Sequence, residues 1–367
     1  MKQTFFFDQK KFYKSLLKYK NLLIIVGNNS YKKNKLFISL NEIYPKENLI
    51  IYSVSDFLPK YVTALEIAKK INQKKILSIL AIGGGTIIDI SKLTRYLVLT
   101  KSNDFSSLLN ANNLIKNNNL LKLFVVPTTA GSGAESTNFC VSYYKKKKYS
   151  IQSKLIIPNY VYFNPKFIIS NNKLNTLSSG LDILAQSIES IWSVNSNIES
   201  ANYAFKSLEL LLNNFENFCI KPDNKYAINM LLAANFAGKA INISKTTAPH
   251  AFSYYLTSVH KIPHGLAVSL LIPYFYKDIM SNIYNIKSKF IKKNIIKLNS
   301  ILTKYSCNAD FFEYFYNKIG IKNYLSKLTI IKVNQENYFK SINLQRLNNY
   351  PLKINDDKIL EIIKKTF

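Results

Sequence analysis

The stretch Ala81-Ile82-Gly83-Gly84-Gly85-Thr86-Ile87-Ile88-Asp89-Ile90 sets the architecture of the first half of the chain. The apolar, β-branched run Ile76–Ile82 ends in three glycines, and helical spacing follows over Ile88–Leu99. Glycines at a strand-to-helix turn let the backbone approach a pyrophosphate, and a helix N-terminus presents free N–H groups and a positive dipole. Thr86 is placed to cap that helix. The turn is equally readable as a plain structural one, and it is not the GxGxxG of the ordinary dinucleotide fingerprint. Outward from it, Leu22–Val26, Leu49–Val54 and Leu123–Val126 read as further buried strands, and Ala64–Gln73 as a helix. Strand and helix alternate, which predicts an open parallel α/β sheet with helices on both faces.

A second loop, Pro127-Thr128-Thr129-Ala130-Gly131-Ser132-Gly133-Ala134-Glu135, follows the strand Leu123–Val126. Small and hydroxylated residues at a strand end line crevices in α/β folds. The runs Asn138–Tyr144 and Tyr149–Ile157 flank Lys145–Lys148 and predict a hairpin, with the lysines in a solvated turn. Asn110–Asn119 reads as a polar loop. From about residue 170 the character changes. Ser178–Ser193, Glu199–Asn214, Tyr226–Asn242 and Gly265–Tyr276 carry a 3.6-residue period. The expected organisation is an α/β domain over 1–165 and an all-helical domain over 166–367, divided near Asn164-Pro165.

The composition excludes several classes. No run of 18 apolar residues exists, so no membrane partner is expected. Residues 1–8 lack the apolar core of a signal peptide, and Cys140, Cys219 and Cys307 lie far apart outside any CxxC pattern, as reduced thiols in a cytoplasmic protein would. The net charge of +29, from 50 basic against 21 acidic residues, raises a nucleic-acid reading. Only Arg95 and Arg346 are arginines, however, and arginine is the residue that reads phosphate and guanine bidentately. The lysines are scattered, and the abundance of Lys, Asn, Ile, Tyr and Phe is that of A/T-rich coding DNA. The charge is therefore read as compositional drift, with no nucleic-acid partner expected and a residual pull on anionic substrates.

All three histidines, His250, His260 and His264, fall within fifteen residues. Imidazole is the commonest neutral metal ligand and proton carrier. Pro249 can start a helix that places His250 and Tyr254 on one face; Pro263 and Gly265 put His264 at a junction, and His260 lies in the connecting loop. In Gly180-Leu181-Asp182-Ile183-Leu184-Ala185-Gln186-Ser187-Ile188-Glu189, Asp182 and Gln186 share a helix face. That oxygen pair with two imidazoles from elsewhere could hold a divalent cation; an ordinary first-turn Asp is the alternative reading.

Together these four stretches resemble the iron-containing alcohol dehydrogenase family, whose fold is shared with dehydroquinate synthase and glycerol dehydrogenase. The resemblance runs through Arg346-Leu347-Asn348-Asn349-Tyr350-Pro351 to the final helix. It implies a nicotinamide cofactor, NADPH or NADH, in the first domain, and a divalent metal, Fe²⁺ or Zn²⁺, in the second. The implied metal ligands are Asp182, Gln186, His250 and His264. The family has a histidine at the second of these positions, so Gln186 is a departure, as is Tyr254, where many members have a histidine beside the substrate. The implied cofactor-binding residues are Asn28, Ser30, Gly83, Gly84, Gly85, Thr86, Asp89, Thr128, Thr129, Ser132 and Lys148. No acid follows the first strand in Val26-Gly27-Asn28-Asn29-Ser30, which favours NADPH because nothing repels a 2′-phosphate.

Within the family, the runs around Gln186–Ser196, Ala237–His250 and Lys148-Tyr149-Ser150 resemble the phosphonoacetaldehyde reductases. Ser244, Lys245 and Thr247 stand just ahead of His250, and an ammonium with hydroxyls suits a dianionic tail; the alternative is a surface lysine and helix-capping threonines. The expected activity is reduction of a small anionic aldehyde, phosphonoacetaldehyde above all, to its alcohol, with Tyr254 or His260 as proton-delivering catalytic residues. A general short-chain alcohol dehydrogenase would share every motif. A homo-oligomer is expected.

Overall fold

The computed structural model describes residues 3–28, 40, 44, 48–74, 76–102, 104–110, 121–145, 147–325 and 335–366. Ser30, and the Asn-rich segment beyond Asn110, lie outside the described residues. The chain forms two compact units, one of 1–129 with 134–168 and one of 130–133 with 169–367.

Among its described residues the first unit has eight strands: β1 (Thr4–Phe6), β2 (Leu22–Gly27), β3 (Leu49–Val54), β4 (Ser78–Gly83), β5 (Lys122–Pro127), β6 (Phe139–Tyr144), β7 (Lys147–Gln152) and β8 (Tyr160–Tyr162). Its helices are α1 (Gln9–Leu16), α2 (Tyr61–Lys74), α3 (Gly85–Thr100) and α4 (Phe105–Asn110). Six strands form one parallel sheet in the order β1-β8-β5-β4-β2-β3. Side chains alternate across a strand, and both faces are covered. Leu23, Ile25, Ile79, Ala81, Leu123 and Val125 pack with Ala64, Ile67, Ile90 and Leu93 of α2 and α3. Leu22, Ile24, Val26, Leu80, Ile82, Phe124 and Val126 pack with Phe12, Tyr13 and Leu16 of α1. Two-sided burial is why these strands read as continuous apolar runs.

The strand order reverses between β2 and β4, whose carboxyl ends are Gly27 and Gly83. Open α/β sheets bind ligands outside the carboxyl ends at such a reversal. Residues 139–144 and 147–152 pair as an antiparallel hairpin. The second strand stops at Gln152, short of the expected Ile157, because Ser153 caps the short 3₁₀ turn Lys154–Ile156 by accepting from the Leu155 N–H.

A short helix α5 (Pro165–Ile169) leads to the helical unit: α6 (Lys173–Trp192), α7 (Ile198–Ile220), α8 (Asn224–Ser244), α9 (Ala248–Ser258), α10 (His264–Ser269), α11 (Ile272–Ser281), α12 (Lys289–Tyr305), α13 (Phe311–Ile319), α14 (Lys322–Leu325), α15 (Gln335–Ser341), α16 (Leu344–Leu347) and α17 (Asp356–Thr366). Helix α6 begins five residues earlier than the periodicity predicts, since Asn172 caps it by accepting from the Asn175 N–H. Helix α7 starts with a capping box between Asn197 and Ser200. The single helix expected over Gly265–Tyr276 is two. Pro273 has no N–H to continue α10, so the chain breaks at Leu270-Leu271 and restarts with proline in the first turn of α11. Helix α6 is buried almost continuously from Leu177 to Trp192. Small hydroxyls stitch it to its neighbours: Ser187 Oγ donates to Ser207 Oγ at 2.9 Å, and Ser244 Oγ to Ser190 Oγ at 2.7 Å. Among the described residues no helix is long and apolar enough to cross a membrane.

Candidate active site

In the helical unit, α6 presents Asp182, Gln186 and Glu189 along one stripe, at i, i+4 and i+7. All three are buried. Pro249 in the first turn of α9 sets the start that aims His250 at this stripe. His264 opens α10. Its approach depends on Gly265: a Cβ there would lie 1.8 Å from the Ser178 carbonyl oxygen, and the Gly265 N–H donates to Ser178 Oγ at 3.1 Å. Only a glycine lets α10 close on α6 at this point.

The result is a compact ligand group. The donor atoms of Asp182, His250 and His264 lie within 4.8 Å of one another. His250 Nε2 is 3.3 Å from Asp182 Oδ1, and the two imidazole rings are 5.2 Å apart. The opposite nitrogen, His250 Nδ1, is held by Glu189 Oε1. The other oxygen of Glu189 accepts from the Thr247 N–H at 2.6 Å and the Thr247 hydroxyl at 2.9 Å. Trp192 Nε1–H in turn donates to Thr247 Oγ1 at 2.9 Å. A carboxylate behind a ligating histidine fixes its orientation and raises its basicity. The periodicity of α6 could have singled out Glu189 for this role, since it is the next residue on the stripe of Asp182 and Gln186.

The electrostatics agree. Burial pulls His250 down, but the charges of Glu189 and Asp182 and their hydrogen bonds outweigh it and raise the imidazole from 6.5 to about 9. Burial pushes Asp182 up; hydrogen bonds from His250 and Gln186 and the charges of both imidazoles prevail, and the carboxyl ends below its ordinary 3.8. Gln186 supplies the test of whether a cation fits. Its amide bonds to Asp182, while Oε1 is buried with no hydrogen-bond partner. A buried orphan acceptor is costly. Beside one carboxylate and two imidazoles, a divalent ion would satisfy it, and the donor set of two nitrogens and two oxygens suits such an ion.

Other predicted residues divide. Tyr254 joins the group, its ring stacked on His264 at 6.0 Å and 18°. Burial raises its phenol above 10, against a hydrogen bond and charge from Arg346. His260 does not belong to this metal-ligand group. Its ring packs edge-on against Tyr255 at 5.4 Å, and Tyr255 lies about 100° around α9 from Tyr254. Ser244 and Thr247 were expected at the substrate. Both are fully buried, and their hydroxyls serve Ser190, Glu189 and Trp192. They brace the ligand group. Lys245 is half-buried, with Nζ donating to the Asn242 carbonyl at 3.1 Å. Arg346, assigned no role from sequence, stands beside Lys245 and Tyr254. Its signal was there: one of two arginines amid lysines.

In the first unit, Gly83–Thr86 cross from β4 into α3 with Gly84 as the N-cap. Thr86 does not cap the helix as expected. It lies inside the first turn, and its hydroxyl donates to the Phe57 carbonyl at 3.1 Å. The neighbouring loop closes on this turn: the Thr128 N–H donates to Gly83 O at 3.1 Å, and a Cβ on Gly84 would sit 3.1 Å from Thr129 Oγ1. Asp89 Oδ2 accepts from the Val141 N–H at 3.0 Å, tying α3 to the hairpin. Burial raises its carboxyl to about 6, opposed by Lys92 and Lys148. Asn28, just past β2, is exposed and accepts from the Ser53 hydroxyl. Ser132 belongs to the segment 130–133 of the second unit.

Comparison with known proteins follows the same division. Residues 7–165 match the family described as iron-containing alcohol dehydrogenase, and residues 176–367 match the C-terminal part of the Fe-containing alcohol dehydrogenase family. The 4-hydroxybutyrate dehydrogenase of Clostridium kluyveri is 31% identical over 234 residues, which span 62% of this chain and 61% of that protein. The phosphonoacetaldehyde reductase of Streptomyces viridochromogenes is 28% identical over 155 residues, 41% of this chain and 39% of that one. The crystal structure of sulfoacetaldehyde reductase from Bifidobacterium kashiwanohense in complex with NAD⁺ superposes with a TM-score of 0.80 at 22% identity, covering 99% of this chain and 96% of that one. The chain therefore spans less than two thirds of the length of these two sequence relatives, and nearly all of this structural one. The family is one of oxidoreductases that act on alcohols and aldehydes with NAD(P) and a divalent metal. The chain belongs to the iron-containing alcohol dehydrogenase family.

Proposed function

We propose that this protein reduces a small aldehyde with an anionic tail to the corresponding alcohol, with phosphonoacetaldehyde as the leading substrate and 2-hydroxyethylphosphonate as product. The carrying observation is the group of buried Asp182 and His250 with half-buried His264, beside the orphan oxygen of Gln186. Those four residues would hold the divalent metal, Fe²⁺ or Zn²⁺. When bound, it supplies Lewis-acid polarisation of a carbonyl. NADPH, favoured over NADH by the absence of an acid after β2, supplies the hydride. The reaction consumes aldehyde, NADPH and one proton and yields alcohol and NADP⁺.

The chain's own residues orient and exclude. Glu189 and Thr247 keep His250 in one ring orientation, so that Nε2 faces Asp182. Gly83, Gly84, Gly85 and Thr86 offer backbone N–H groups at the start of α3 for a pyrophosphate, with Thr128, Thr129 and Lys148 as further cofactor residues and Asp89 holding the hairpin that carries Lys148. Tyr254, kept protonated by burial, delivers a proton directly or shapes the pocket beside His264. Lys245 attracts the anionic tail. The names of two relatives support that substrate class, since 4-hydroxybutyrate carries a carboxylate and phosphonoacetaldehyde a phosphonate.

The test is oxidation of NADPH, and separately NADH, with phosphonoacetaldehyde beside propanal and butanal, in Fe²⁺, in Zn²⁺ and with chelator. Equal use of all three aldehydes removes the phosphonate assignment in favour of a general short-chain alcohol dehydrogenase. Activity indifferent to chelator removes the metal.

A further inference from the structure

We propose that Arg346 is the specificity residue of this site, its guanidinium gripping the oxyanion at the far end of the substrate with Lys245 as second cation. This rests on the reading above that the substrate is an anionic aldehyde.

The first argument is compositional. Among 50 basic residues only Arg95 and Arg346 are arginines. In a chain drifted so far toward lysine, an arginine remains where an ammonium cannot do the work. Arg95 is accounted for by its burial and its Nη1 hydrogen bond to the Ile157 carbonyl at 2.8 Å. A planar, forked donor is what separates arginine from lysine, and it matches a phosphonate or carboxylate edge with two parallel hydrogen bonds.

The second argument is placement. Arg346 is hydrogen-bonded to the Tyr254 hydroxyl, and the Tyr254 ring lies on His264. One aromatic side chain therefore separates the guanidinium from the ligand group, about the span between the two ends of a short substrate. Lys245 stands close enough for the Arg346 charge, added to burial, to lower its ammonium to about 8. Lys245 also holds the left-handed backbone at φ +62°, uncommon for a residue with a Cβ. An ammonium and a guanidinium set near each other repel, and a dianionic tail bound by both offsets that repulsion.

The third argument is rigidity. Asn343 Oδ1 accepts from the Arg346 N–H at 2.9 Å. Asn349 Nδ2 donates to the Thr246 carbonyl, and its own carbonyl accepts from the Val194 N–H, both at 2.9 Å. The Tyr350 hydroxyl bonds the Phe275 carbonyl at 3.1 Å and Asp278 at 2.9 Å. The backbone on both sides of Arg346 is thus fixed, and Asn349 ties it to the turn that carries Lys245, which is the kind of support a specific anion site needs.

The test compares kcat/KM for phosphonoacetaldehyde and for propanal in the wild type, R346A and R346K. The wild type is expected to prefer the phosphonate. R346A should cut that preference about 100-fold, mainly through KM, and R346K about tenfold, because an ammonium keeps the charge but loses the fork. If R346A does not fold, R346K reads the same effect. Preference undiminished in the folded variants overturns this proposal alone. A wild type with no preference overturns the anionic-substrate reading and this proposal with it.

Discussion

Glu189 holds His250 by Nδ1, and the opposite nitrogen, Nε2, lies 3.3 Å from Asp182 Oδ1. The orientation of one candidate ligand is thereby set from the same helix that carries two of the others. Glu189→Gln keeps the shape and removes the charge that raises His250. Metal affinity should fall by about 10- to 100-fold, read by competition with a chromogenic chelator. Unchanged affinity would mean that packing alone orients the ring.

Gln186 is the weak member of the proposed ligand group. Its oxygen is uncharged and less basic than an imidazole. Gln186→His is expected to tighten Zn²⁺ binding at least about tenfold, and Gln186→Ala to weaken it, both by calorimetric titration of metal into apo-protein. Equal affinities in all three proteins would place Gln186 outside the coordination sphere.

Gly265 sets the distance between His264 and Asp182. A Cβ at this position would lie 1.8 Å from the Ser178 carbonyl oxygen and 3.0 Å from the Asp182 nitrogen. Gly265→Ala should destabilise the fold by about 1–3 kcal/mol through overpacking and also lower the metal content of the purified protein. Thermal unfolding and metal analysis on one preparation separate the two effects. Full metal occupancy despite a lowered Tm would show that the ligand group tolerates the shift.

Lys245 predicts a pH dependence. Burial and then the charge of Arg346 lower its ammonium from 10.5 to about 8. The shift is downward, so the cation is present below pH 8 and is lost as the pH rises through 8, instead of persisting past 10. KM for phosphonoacetaldehyde should therefore climb several-fold between pH 7 and 9. KM for propanal should not follow it, and Lys245→Met should flatten the phosphonate profile. A profile identical in the wild type and Lys245→Met would assign the dependence to another group.

Local pattern made much of this molecule legible. Continuous apolar runs before Gly83 and Pro127 announce strands buried on both faces, because a parallel sheet covered on two sides has no polar alternation to show. The stripe Asp182, Gln186 and the paired His250 and His264 were readable from helical spacing and their proximity in sequence. The roles of Ser244 and Thr247 were not. Their hydroxyls look available in the sequence, yet the fold buries them against Ser190, Glu189 and Trp192. The break at Leu270-Leu271 was missed because the 3.6-residue period continues through Pro273, although its hydrogen bond cannot.

Element types, the two-part organisation and the candidate ligands are legible in the chain alone, since these follow from periodicity, glycine and proline placement, and residue chemistry within a few turns of chain. Which groups meet is a matter of packing between distant segments. Glu189 reaches His250 across 61 residues, and Arg346 reaches Tyr254 from the far end of the chain. No local period encodes such pairs; helix packing brings them together, and the approach of α10 to α6 hangs on the missing Cβ of Gly265.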